Sequence, residues 1–123
     1  DLSKKIVVYD FVAPEITITG KLKDTYSLNA EISIPSYKVT DNLNDYTLDV
    51  FLSLPNDEQR LLITDNNGKV TSYLDSNSMV YDSSFKVNAN TFRAEQRGYY
   101  TMRFVAYDYD FNKTDEELHF TVK

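Results

Sequence analysis

The sequence predicts an all-β sandwich, and three observations carry that expectation. Apolar and polar residues alternate with a period of two in segment after segment, the bulky side chains always on one face. Aromatic residues that favour strands are abundant, with 10 Tyr and 7 Phe beside only 3 Gly. The 123 residues fit one domain, which at this size buries roughly two-thirds of its unfolded surface without disulfide or metal.

In chain order, short strands are expected at residues 5–10 and 15–19. "LNAEISI" follows, with Leu28, Ala30, Ile32 and Ile34 inward and Asn29, Glu31 and Ser33 toward water. "YTLDVFLSL" turns Tyr46, Leu48, Val50, Leu52 and Leu54 inward. Residues 60–64 and 69–73 flank "DNNG", where Asn67-Gly68 suits the positive φ angles of a tight hairpin. "FKVNA" offers Phe85, Val87 and Ala89 to the core. "NTFRAEQRG", residues 90–98, is the one break in the pattern. It reads as a helical turn begun by Asn90 or Thr91 and closed by Gly98. "YTMRFVA" buries Tyr100, Met102, Phe104 and Ala106, and "LHFTV" buries Leu118, Phe120 and Val122. Seven to nine strands, each with one polar face, need a second sheet to cover the other.

Composition narrows the function. The chain carries 19 Asp+Glu against 13 Lys+Arg, so a nucleic-acid backbone or an anionic membrane surface is a poor partner. Cysteine is absent, which removes thiol catalysis, zinc fingers and a disulfide framework. No apolar run approaches the ~20 residues of a membrane span. With no signal peptide at Asp1, the chain reads as an excised domain or a mature segment. Glycine is too scarce for a phosphate-cradling loop. The lone histidine, His119, falls on the outward face of the last strand with no nucleophile signature nearby, so no enzymatic activity is expected.

The stretch "GYYTMRFVAYDYDFN" resembles the Gly-x-Tyr…Ala-x-Asp-x-x-Gly-Asn signature of bacterial immunoglobulin-like and hyalin-repeat-like domains. Gly98, Tyr100, Ala106, Asp108 and Asn112 fall on its spacing. "DFVAPEI", with Asp10, Pro14 and Ile16, is similar to the opening of those modules, and "IPSYKVTDN" to their Pro…Thr-Asp-Asn segment. Two departures stand out: Phe111 replaces the glycine before Asn112, and residues 55–85 run longer than usual. The resemblance implies an immunoglobulin-like (fibronectin III-like) antiparallel sandwich with an extra hairpin between strands C and E. Residues 10–123 then form the domain, and residues 1–9 are a linker strand or the end of a preceding module.

The motif residues also have plain physical roles. Tyr100 suits a tyrosine corner, its ring in the core and its hydroxyl bonded to nearby backbone. Ala106 is small where the facing sheet comes close, Pro14 suits a strand start, and Asp108 and Asn112 suit a loop that satisfies its own N–H groups. A sharper reading is calcium. Asp108, Asp110 and Asn112 offer oxygens at alternate positions, and the fold would bring Asp41, Asp45 and Asp10 to the same pole. The EF-hand pattern itself fails, since Lys113 stands at the glycine position and His119 at the closing glutamate. Asn112-Lys113-Thr114 is also a glycosylation sequon by pattern.

A further candidate is an aromatic face. Tyr99, Tyr107 and Arg103 point outward from one strand and Phe51 from its neighbour, a surface suited to sugar rings or to a protein. The absence of tryptophan counts against the sugar form. Equally, the hairpin at residues 60–73, whose Leu61, Leu62 and Ile63 need burial, covers this face. The resemblance implies a monomeric, non-catalytic spacer or accessory module of a secreted or surface protein, a phage virion included, adhesive in some settings. Its partners would be neighbouring domains of the same chain. The competing class is a module that recognises glycan or protein through its loops or its tyrosine face.

Overall fold

The computed structural model describes residues 12–41, 46–64, 79–80, 85–88, 90–108 and 112–123. The elements formed are strands: β1 (Glu15–Ile18), β2 (Thr25–Tyr26), β3 (Glu31–Ser33), β4 (Tyr37–Thr40), β5 (Tyr46–Ser53), β6 (Gln59–Thr64), β7 (Met79–Val80), β8 (Lys86–Asn88), β9 (Thr91–Arg93), β10 (Gly98–Asp108) and β11 (Lys113–Val122). They form a six-stranded sheet in the order β2-β11-β10-β5-β6-β7, a three-stranded sheet β3-β9-β8 and a pair β1-β4. Neighbours are antiparallel except β2 with β11 and β6 with β7. The expected strands at residues 5–10 and 69–73, and the "DNNG" turn between the latter and β6, lie outside the described residues.

The core lies between the six-stranded sheet and the smaller ones. From the large sheet come Leu48, Val50, Leu52, Tyr100, Met102, Phe104, Ala106, Phe120 and Val122; Ile32 and Phe92 meet them from the small one. Rings bridge the layers. Phe92 lies 6.3 Å from Phe120, which stacks on Tyr100 at 4.8 Å, while Tyr37 meets Phe104 edge-on at 5.6 Å. Each fully buried side chain of this size contributes about 1.5–3 kcal/mol relative to exposure. The inward sets predicted for "YTLDVFLSL", "YTMRFVA" and "LHFTV" all turn toward this core.

The layer facing them departs from the prediction in three places. The "LNAEISI" strand is shortened, because Asn29 takes φ 66° and turns the chain before β3 begins. Pro35, without an N–H for the ladder, then separates β3 from β4. β3 pairs with β9, whereas β4 pairs with β1. Here the N–H groups of Thr19 and Gly20 both donate to the Ser36 carbonyl, at 2.8 and 3.0 Å. A Cβ on Gly20 would stand 2.5 Å from Ser36 N, so only glycine lets the two segments meet.

The helical turn expected over residues 90–98 is not formed. Thr91–Arg93 is strand β9, with Phe92 opposite Ile32, fully buried and stacked on Phe85 at 5.6 Å. Burial of that phenylalanine outweighs the weak local helical preference. In "FKVNA", Phe85 is buried but Val87 is 42% exposed. An irregularity between Lys86 and Asn88 shifts the register and turns Val87 away from the core.

Candidate functional site

The sandwich has two poles. At one, Glu15 at the start of β1 pairs with Thr40 at the end of β4, Tyr46 at the start of β5 with Asp108 at the end of β10, and Lys113 with Tyr107. At the other, Gly98 pairs with Val122, Thr101 with Ser53 and Ser53 with Gln59. Of the predicted calcium ligands, Asp41, Asp108 and Asn112 are described and belong to the first pole, and the outer aromatic residues to the face that joins the two.

At the first pole Asp108 is 4% exposed, and its carboxylate serves the turn. Oδ1 accepts the Asn112 backbone N–H at 3.0 Å, Oδ2 accepts the Asn112 side-chain amide at 2.9 Å, and the Asp108 N–H donates to the Asn112 carbonyl at 3.1 Å. The turn is closed by its own side chains. Asp41 lies just past β4 in a shallow hollow of about 190 Å³ with Val12, Ala13, Glu15 and Thr40. Asp10, Asp45 and Asp110 are outside the described residues. Among the described residues no group of three or more His, Asp or Glu side chains gathers as a metal cage would require.

Tyr100 makes the corner its position predicts. Its hydroxyl donates to the Gln96 carbonyl at 2.7 Å and accepts the Gln96 N–H at 3.2 Å, while the ring is fully buried. Burial raises its pKa above 10.0, partly opposed by the bond to the Gln96 backbone and reinforced by Glu95. Gly98, at φ 136°, lies against Pro55; a Cβ there would fall 2.8 Å from the proline ring. Ala106 is buried in the core and Pro14 just ahead of β1.

Two of the residues expected on the aromatic face are buried, not exposed, and Leu61 of the expected covering hairpin lies with them. Phe51 is only 2% and Tyr107 5% exposed, in a second apolar cluster with Val105 and Leu61. The bulge between Val50 and Phe51 sets Leu61 beside Phe51, while the next residue, Leu62, enters the main core. The Arg103 guanidinium covers Phe51 at 5.4 Å from the ring centre, and the Tyr107 hydroxyl donates to buried Asp49 at 3.3 Å. Of the four predicted face residues, only Tyr99 stands well clear, at 58%.

Tyr99 has company that the sequence did not reveal. His119 stacks on its ring at 5.4 Å and 12°. His119 Nδ1 lies 3.0 Å from Thr101 Oγ1, and Nε2 lies 3.6 Å from Glu117 Oε1. Beside Tyr99 is a concavity of about 280 Å³ lined by Ser53, Leu54, Pro55, Asp57 and Thr101. Asp57 sits in the β5–β6 turn at φ 69°, where the Asp57 N–H donates to the Leu54 carbonyl and Leu54 N–H to that of Glu58. The alternation placed Tyr99 and His119 outward, but their meeting beside Thr101 depends on the β10–β11 register. The arrangement offers hydroxyls, a carboxylate and an aromatic wall, a set suited to binding.

No protein-family model, curated protein or solved structure matches the chain.

Proposed function

We propose that the chain is a non-catalytic, immunoglobulin-like spacer or accessory module of a larger extracellular or cell-surface protein, bacterial or phage-borne. It works as a monomer between neighbouring domains of its own chain. The observation that carries this reading is the course of the chain. β1 starts at the pole of Asp108 and Lys113, whereas β11 ends at the opposite pole beside Gly98. A domain whose first described strand starts at one pole and whose last strand ends at the other is suited to stringing end to end.

The immunoglobulin-like assignment draws support from the strand pairing. β2 runs parallel to the last strand, the order β11-β10-β5-β6 follows G-F-C-C′, and β1, β3, β9 and β8 supply the other layer. The Tyr100 corner before the middle of β10 fits the same pattern. A fold of this kind hosts many functions, so the spacer role rests on geometry rather than on fold class.

Small-angle scattering of a two-copy tandem of the whole chain tests the proposal. An end-to-end module gives a maximum dimension close to double that of one copy. A compact, side-by-side pair would refute the spacer reading.

A further inference from the structure

The concavity at the Gly98 pole is the feature the spacer role leaves unused. We propose that it is a binding subsite for one neutral pyranose ring of a glycan, with Tyr99 as its stacking platform and Asp57 as its hydroxyl acceptor. The inference stands apart from the spacer reading, which a failure here would leave intact.

A single exposed tyrosine is ordinary, and the case rests on how this one is held. Tyr99 is on β10, opposite Thr121 of β11 and two residues before the pairing with β5 begins at Thr101, and it has His119 on one flank. His119 is itself fixed near Thr101 and Glu117. The other flank belongs to β5 and its turn, whose Ser53, Leu54, Pro55 and Asp57 line the hollow. A ring already held in place loses little conformational freedom when a ligand stacks on it.

The lining selects the ligand class. A pyranose presents a patch of C–H groups on one face and hydroxyls around its rim. The tyrosine ring and Pro55 suit the first; the Asp57 carboxylate and the Ser53 and Thr101 hydroxyls suit the second. The tyrosine–histidine pair supplies the flat apolar surface that tryptophan would otherwise bring. Asp57 and Glu117, on a chain of net charge −6, disfavour an acidic sugar. A hollow of about 280 Å³ lies at the small end of ligand sites and suits one ring better than an extended peptide.

The test is a titration of isotope-labelled protein followed by amide chemical shifts. The probes are the methyl glycosides of glucose, galactose, mannose and N-acetylglucosamine and their short oligomers, with methyl glucuronide and a proline-rich peptide as contrasts. The expected result is saturable shifts at Ser53, Asp57, Tyr99 and Thr101 with at least one neutral glycoside. Tyr99→Ala and Asp57→Asn should each weaken that binding about tenfold while the remaining spectrum keeps its dispersion. No saturable shift with any neutral sugar overturns the proposal. So do shifts seen only with the peptide or the glucuronide, and binding that both variants leave unchanged.

Discussion

The two halves of β10 follow one rule on the inner face and different rules on the outer. Inward, Tyr100, Met102, Phe104 and Ala106 are all fully buried along the whole strand. Outward, Tyr99 is exposed and Thr101 and Arg103 are half-buried, but Val105 and Tyr107 are as buried as the core itself. The first half is an ordinary sandwich strand with one wet face. The second half is buried on both faces, with Val105 and Tyr107 joined to Phe51 and Leu61 of neighbouring strands. Alternation therefore says which side a residue takes and nothing about what waits there.

Several substitutions would break or sharpen that contrast. Val105→Asp places an unpaired charge in the outer cluster and should cost about 3–5 kcal/mol, read as a lower urea midpoint. A loss near zero would mean that this face opens readily to water. Asp108→Ala removes the acceptor of two Asn112 N–H groups at the end of the same strand, and about 2 kcal/mol should be lost. Because that carboxylate already serves the turn, melting in excess EDTA and in millimolar calcium should coincide. A calcium-dependent rise that Asp108→Ala abolishes would establish an ion site at this turn.

Tyr100→Phe deletes both bonds to Gln96 and should cost about 1–2 kcal/mol near neutral pH. Its pH dependence has a definite sign. Burial holds the folded-state pKa above 10.0, so the neutral phenol stabilises the fold fully below that value. As pH climbs past 10.0 the unfolded tyrosine ionises first, and the contribution is lost up to the folded-state value. Stability measured against pH should then fall more steeply for the parent than for the variant; parallel curves would remove the corner from the account. Smallest is Tyr99→Asp, where an exposed side chain loses its stack on His119 and gains a charge, and the change should be about 1 kcal/mol.

How much of this was legible follows from the range of the forces involved. The inner faces of β5, β10 and β11 could be read because period-two burial is local to each strand. The Tyr100 corner was legible as well, since its partner lies four residues upstream. The helical reading of residues 90–98 failed because the deciding contact, Phe92 against Ile32 and Phe85, comes from distant segments. The break between β3 and β4 had a local sign in Pro35, but the exchange of partners from β9 to β1 did not. The outer cluster and the Tyr99–His119 stack were hidden for the same reason. Both depend on register between strands far apart in sequence, set by packing and, in β6, by a bulge. The aspartates near Asn112 suggested an ion by type and spacing; of that set, Asp108 makes two hydrogen bonds to Asn112, and Asp10, Asp45 and Asp110 lie outside the described residues.

The most direct test sets Val105→Asp beside Tyr99→Asp, the same new charge at two outward positions of one strand, each unfolded in urea. The account predicts that the first variant loses at least about 3 kcal/mol while the second, which forfeits only the stack on His119, loses about 1 kcal/mol. Equal losses at the two positions would contradict it, because β10 would then present one uniform outer face.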